Sequence, residues 1–122
     1  MDRGTAGSAH RGRLQVEVRT EGVSEVVTPA GELDHHTADV LSGPLDSALE
    51  QGRSRLVIDC SRLEFCDSTG LNVLLAARLK AEAAGGGVHL TGLRPVVARV
   101  LEITGAGAVF TVHSTLDEAL PG

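Results

Sequence analysis

Hydrophobic residues change their spacing along this chain in an order that few folds can satisfy. Leu14, Val16 and Val18 alternate one for one with Gln15, Glu17 and Arg19, the period of a strand with one buried face. Glu21-Gly22 is a turn signal, and the run from Val23 to Leu33 follows it, so the first unit reads as a hairpin. Pro29 lies inside the second run; it cannot donate to a ladder, which predicts an edge or a bulge there. From Thr37 onward helical and strand patterns take turns. Thr37 to Gln51 places Leu41, Leu45, Ala48 and Leu49 at helical spacing, with a stop at Gly52 and an expected kink or break at Gly43-Pro44. Arg55 to Cys60 is short and almost continuously apolar, as expected of a central strand covered on both faces. A second helical stripe of Leu71, Leu74, Leu75 and Leu79 opens at Asp67-Ser68-Thr69-Gly70 and ends at Gly85-Gly86-Gly87. Val88 to Thr91 reads as a strand, Pro95 as the first residue of a helix that stops at Gly105, and Val109 to Val112 as the last strand. Ser114 with Asp117 resembles a capping box for a short C-terminal helix. The order ββαβαβαβα predicts an α/β domain: a single mixed β-sheet, an N-terminal hairpin and then alternating strands and helices, packed by about four helices.

At 122 residues there is room for one such domain. Residues 1–13, rich in Gly, Ala, Ser and Arg without periodicity, are expected to be a disordered tail, and residues 14–122 the domain. Aromatic side chains are nearly absent, Phe65 and Phe110 alone, so the core must be built from Leu, Val, Ile and Ala. The net charge of −5 leaves no phosphate-neutralising surface, and there are no aromatic platforms for bases, so nucleic acid is not an expected partner. No run approaches a membrane span, and no apolar leader stands at the N-terminus, which points to the cytoplasm. Cys60 and Cys66 are too few for a zinc set and are expected to be buried, reduced thiols.

Three groups of residues could carry chemistry. Asp34-His35-His36 offers metal-ligand types, but a metal needs three or four converging ligands, and His10, His89 and His113 are scattered singly. No metal and no cofactor is expected. Ser68 lacks the neighbouring base and orienting group that a nucleophilic serine requires, and C-D-S-T-G is not a nucleophile elbow. Asp67 or Ser68 instead suits a helix N-cap. A hydroxyl there sits at the positive end of a helix dipole, which marks Ser68 and Thr69 as candidate phosphate acceptors.

Two segments together point to a family. The run Gly31-Glu32-Leu33-Asp34-His35-His36-Thr37-Ala38 resembles the G-E-L-D loop of the bacterial anti-sigma factor antagonists of the STAS domain family. Phe65-Cys66-Asp67-Ser68-Thr69-Gly70-Leu71 is similar to that family's D-S-[ST]-G-L phosphorylation site. The resemblance spans roughly Leu14 to Leu120. It implies a STAS-like fold and a protein that is not an enzyme but a switch. Such a protein binds an anti-sigma factor that is also a serine kinase, freeing a sigma factor. Phosphorylation of the serine after the motif aspartate, here Ser68, turns binding off, and a metal-dependent (PP2C-type) phosphatase restores it. The resemblance carries partner-binding roles to Glu32, Asp34, His35, His36, Asp67, Thr69, Gly70 and Leu71, in a protein that is monomeric when free. The alternative is a STAS module of another signalling scaffold or of a lipid-transport accessory complex.

Overall fold

In the computed structural model, which describes residues 7–11 and 13–121, the expected alternation appears with one strand added at each of two places. The elements are β1 (Gly7–Arg11), β2 (Leu14–Glu21), β3 (Ser24–Leu33), α1 (Ala38–Glu50), β4 (Arg55–Asp59), β5 (Leu63–Cys66), α2 (Ser68–Ala83), β6 (Gly87–Thr91), α3 (Pro95–Thr104), β7 (Thr111–His113) and α4 (Leu116–Ala119). They form one mixed sheet in the order β1-β2-β3-β4-β6-β7, with β5 also pairing β3. β1, β2 and β3 are antiparallel neighbours, and every later pairing is parallel.

The N-terminal expectation needs correcting. Gly7–Arg11 is a strand paired with β2 from Gly7↔Val18 to Arg11↔Leu14, where a tail was expected through residue 13. β2 faces β3 on one side only, and its other edge can pair any neighbouring backbone regardless of side-chain pattern, so periodicity gave no signal. Of the rest of the expected tail, Arg13 lies in the turn between β1 and β2, and residues 1–6 and 12 lie outside the described residues.

β3 is central, which corrects the edge reading of Pro29. Its first half pairs β4 from Glu25 to Val27, and its end pairs β5 from Gly31 to Leu33. Gly31 N–H donates towards β5, to Arg62 O. Two residues earlier, Pro29 points the same way into the interval where one partner has ended and the other has not begun, so its missing donor costs no ladder bond. The register shifts between Gly31 and Glu32, the irregularity the proline led one to expect. Gly31 is obligatory there: its φ is 116° and a Cβ would lie 1.9 Å from Arg13 O.

Pro44 neither ends nor splits α1, which runs unbroken over Ala38–Glu50. The buried stripe of Val40, Leu41, Leu45 and Ala48 holds it against the sheet and offsets the lost hydrogen bond. In α2 the buried stripe is Leu71, Leu74, Ala77 and Ala81, while Leu79 is exposed. The alanines at helical spacing, and not the leucines alone, define the inward face. Burying Leu71 and Leu74 contributes about 1.5–3 kcal/mol each. α1 and α2 close the main core over Leu14, Val16, Val27, Leu33, Leu56, Ile58 and Leu90. Among the described residues the opposite face carries a small cluster, Val26, Val57 and Ala119, beneath α4. The cap of α4 is Thr115, whose hydroxyl accepts Glu118 N–H while Glu118 accepts Ser114 N–H, a box one residue later than Ser114/Asp117.

Candidate functional site

The site is assembled by the strand that sequence patterning did not show. β4 was expected to lead directly to the Asp67 turn; instead the chain turns at Ser61-Arg62 and adds β5. β5 is four residues, Leu-Glu-Phe-Cys, buried only at its ends, so it carries neither an alternating nor a continuous apolar pattern. Its parallel pairing sets Leu33 opposite Cys66. The two motifs therefore leave the carboxyl ends of adjacent parallel strands on one sheet edge, the usual place for a site in such sheets. Asp67 N–H donates to Leu33 O at 3.1 Å and ties the two exits together.

Each motif residue has a traceable task. Asp67 is the N-cap of α2, with Oδ1 accepting Gly70 N–H at 2.8 Å. Its other oxygen lies 3.9 Å from His35 Nδ1, an ion pair when the imidazole is protonated. Ser68 and Thr69 are the first two residues of α2, and both are exposed. Gly70 is buried against the first motif: a Cβ there would lie 2.6 Å from Leu33 Cγ and 2.9 Å from Leu33 O. Leu71 is buried in the core, so of the two residues after Thr69 neither presents a side chain at the surface.

In the first motif, Asp34 is occupied with its own loop. Its Oδ1 accepts the N–H groups of His36 and Thr37, and Thr37 Oγ1 lies 3.3 Å away. Thr37 Oγ1 in turn donates to Glu32 O at 2.8 Å and accepts Asp34 N–H at 2.9 Å. Desolvation alone would raise the Asp34 carboxyl; the His36 and Thr37 N–H groups, the Thr37 hydroxyl and the charge of His36 outweigh it and hold its pKa below the ordinary carboxylate value. Asp34 thus shapes the loop, and His35 and His36, exposed with ring centres 3.9 Å apart, form its outer surface. Glu32 pairs with Arg13 at 2.7 Å.

Two features of this edge were not read from the sequence. Phe65 is 43% exposed just before the Asp67 turn, a large apolar side chain in a chain with only two aromatics. A groove of about 290 Å³ runs between α1 and α2 from Thr69 past Asn72 and Val73 to Lys80, which is bonded to Asp46. Only the packing of two helices creates it. The cysteines are free and buried. Burial, with Asp59 nearby, pushes the Cys60 thiol up to about 12, and burial with Asp67 pushes Cys66 up to about 11, so neither is a nucleophile at neutral pH.

A family model described as "Mlab, STAS domain" matches residues 16–112, most of the chain and both motifs. This is a STAS domain protein. Among curated relatives of this STAS domain, the anti-sigma-F factor antagonist RsfB of Mycobacterium tuberculosis is 34% identical over 110 residues, 89% of this chain and 88% of RsfB. The anti-sigma F factor antagonist of Paenibacillus polymyxa is 30% identical over 88% of this chain and 92% of its own. Among solved structures, the anti-sigma factor antagonist SpoIIAA in its unphosphorylated form superposes with a TM-score of 0.74 at 27% identity, covering 85% of this chain and 90% of SpoIIAA. The phosphorylated form of Bacillus SpoIIAA gives 0.66 at 28% identity, covering 87% and 95%. The sheet and helices of this STAS domain are therefore those of the anti-sigma factor antagonists. No helix among the described residues is long and apolar enough to cross a membrane.

Proposed function

We propose that this STAS domain is an anti-sigma factor antagonist that binds an anti-sigma factor acting as a serine kinase, releases a sigma factor, and is switched off by phosphorylation of Ser68. The observation that carries the proposal is the exposed Ser68 hydroxyl at the first position of α2, beside a loop whose outer surface is His35 and His36. A partner seated on the shared sheet edge covers the loop and the serine at once. The contact residues are His35, His36, Ser68 and Thr69, with Phe65 beside them. Glu32, Asp34, Asp67 and Gly70 fix the positions of the others, and Leu71 anchors α2. A metal-dependent (PP2C-type) phosphatase reverses the modification.

The switch is a change at the surface. Phosphorylation adds about −1.5 to −2 charge at the start of a helix, where the dipole favours it by roughly 0.3–1 kcal/mol. Asp67 opposes it with a comparable magnitude, so fold stability changes little. A partner surface fitted to a neutral hydroxyl must instead bury an unpaired charge, which costs about 2–5 kcal/mol of affinity.

The test is phosphorylation by the anti-sigma kinase with ATP, read by mass spectrometry. Unmodified protein and Thr69→Ala are expected to gain one phosphate, and Ser68→Ala none while still binding the kinase. Phosphate on Thr69, or a Ser68→Asp variant that binds as tightly as the unmodified protein, refutes the assignment.

A further inference from the structure

His89 and His113, separate in sequence and unremarkable there, meet on the sheet face opposite α1 and α2. His89 Nδ1 and His113 Nε2 are 3.1 Å apart, bridging β6 and the edge strand β7. The ring centres are 5.3 Å apart and the planes inclined by 25°. That separation is the nitrogen–nitrogen distance plus about one ring radius on each side, so the rings meet edge to edge with the two nitrogens pointing at each other. Both lone-pair directions lie along one line, which suits one N–H between them and does not suit a metal ion, whose ligands aim at a common point to the side.

We propose that this pair is a proton-operated latch: one proton between the rings holds the β7–α4 unit on the sheet, and a second proton releases it. With one N–H between them the rings bond whether the pair is neutral or carries a single charge. When both imidazoles are protonated, every ring nitrogen is a donor, two N–H groups face each other, and the bond is replaced by like-charge repulsion. The unit has few other fastenings. β7 is three residues paired on one side only, and α4 is four residues seated on Val26 and Val57 through Ala119, with Leu116 and Leu120 around it. Release also exposes a buried polar group, because the Thr91 hydroxyl, directly across the ladder from His113, has no hydrogen-bond partner among the described residues.

The surrounding charges bear on when the second proton enters. On β4, Arg55 sits on the same face and Asp59 stands across from Thr91; on α4, Asp117 and Glu118 are exposed, with Glu118 spent on the Ser114 and Thr115 cap. Arg55 donates to Ser24 Oγ at 2.7 Å. Burial, Arg55 and His113 all press the His89 pKa below the usual imidazole value. The two protons therefore enter as coupled steps that belong to the pair.

The experiment is an NMR titration of the histidine side chains together with amide hydrogen exchange, on the full chain between about pH 7.5 and about pH 5, the range in which imidazoles change charge. Two distinct steps are expected, and across the lower one protection of residues 111–120 falls at least ~10-fold relative to α2, since losing a hydrogen bond to a charged group is about a tenfold effect or more. In His89→Gln the amide can donate to or accept from His113 in either protonation state, so the pH-dependent loss disappears. Two histidines titrating as independent single sites, or equal loss of protection in the unmodified protein and His89→Gln, overturns the latch.

Discussion

Replacing Gly70 with alanine separates two opposite expectations for the motif glycine. Gly70 occupies the third position of α2, and in a helix alanine is more favourable than glycine by about 0.8–1 kcal/mol. Helix propensity alone therefore predicts a stabilised protein. The tertiary structure predicts the reverse, because the new Cβ would lie 2.6 Å from Leu33 Cγ and 2.9 Å from Leu33 O. The side-chain carbon can turn away, but the carbonyl is backbone, held in place by its bond from Asp67 N–H. Overpacking of this kind costs about 1–3 kcal/mol, and the part that cannot relax falls at the upper end. The net effect is a loss of about 1–2 kcal/mol, or roughly 4–10 °C in Tm for a domain of this size. Thermal unfolding followed by circular dichroism measures it directly. A double-mutant cycle with Leu33→Ala sharpens the reading: removing Cγ relieves half of the clash, so a coupling of about 0.5–3 kcal/mol is expected between the two sites. A Tm that rises in Gly70→Ala refutes the steric account and leaves the glycine without a structural reason.

Other outcomes follow from single contacts. Asp67→Ala removes the cap on Gly70 N–H and is expected to cost about 0.5–2 kcal/mol by urea midpoint, while Asp67→Asn retains most of it. Ser68→Asp is expected to keep Tm within a few degrees of the unmodified protein yet lose most kinase affinity by calorimetry; a large Tm change would make the switch conformational instead. Asp34 has a folded-state pKa below its unfolded value of about 3.9, so its contribution is complete above that pH and is lost as pH falls through the lower folded value. Asp34→Asn is expected to flatten that part of the acid-stability curve, measured as urea midpoints between about pH 5 and about pH 2. Neither Cys60 nor Cys66, pushed up to about 12 and about 11, is expected to react with a thiol reagent at about pH 8 until the chain unfolds. Rapid labelling of the folded protein would show that the sheet edge opens.

Much of the architecture was legible because it rests on short-range periodicity. The hairpin, the apolar run at Leu56–Ile58, Pro95 at the start of α3 and the left-handed Gly105 at its end are local decisions, and the chain makes them where the residues say. Of the two motifs, the capping aspartate before a hydroxyl was legible for the same reason, while the first was known only by resemblance and its closure from Asp34 to Thr37 is seen only in the structure. What brings them together is not local. β5 is too short and too mixed to announce itself, yet its pairing of Cys66 with Leu33 puts the serine beside the histidines. Pro29 could be read only as a break in a ladder; that the break falls between two successive partners of a central strand depends on where β4 ends and β5 starts. Gly70 reads as a weak helix residue until Leu33, 37 positions earlier, is seen packed onto it. His89 and His113 carry no pattern at all, and only adjacent parallel strands make them a pair. Residue spacing decides which face of an element is apolar. Which elements share an edge is decided by long-range pairing, whose energy comes from contacts between residues far apart in the chain.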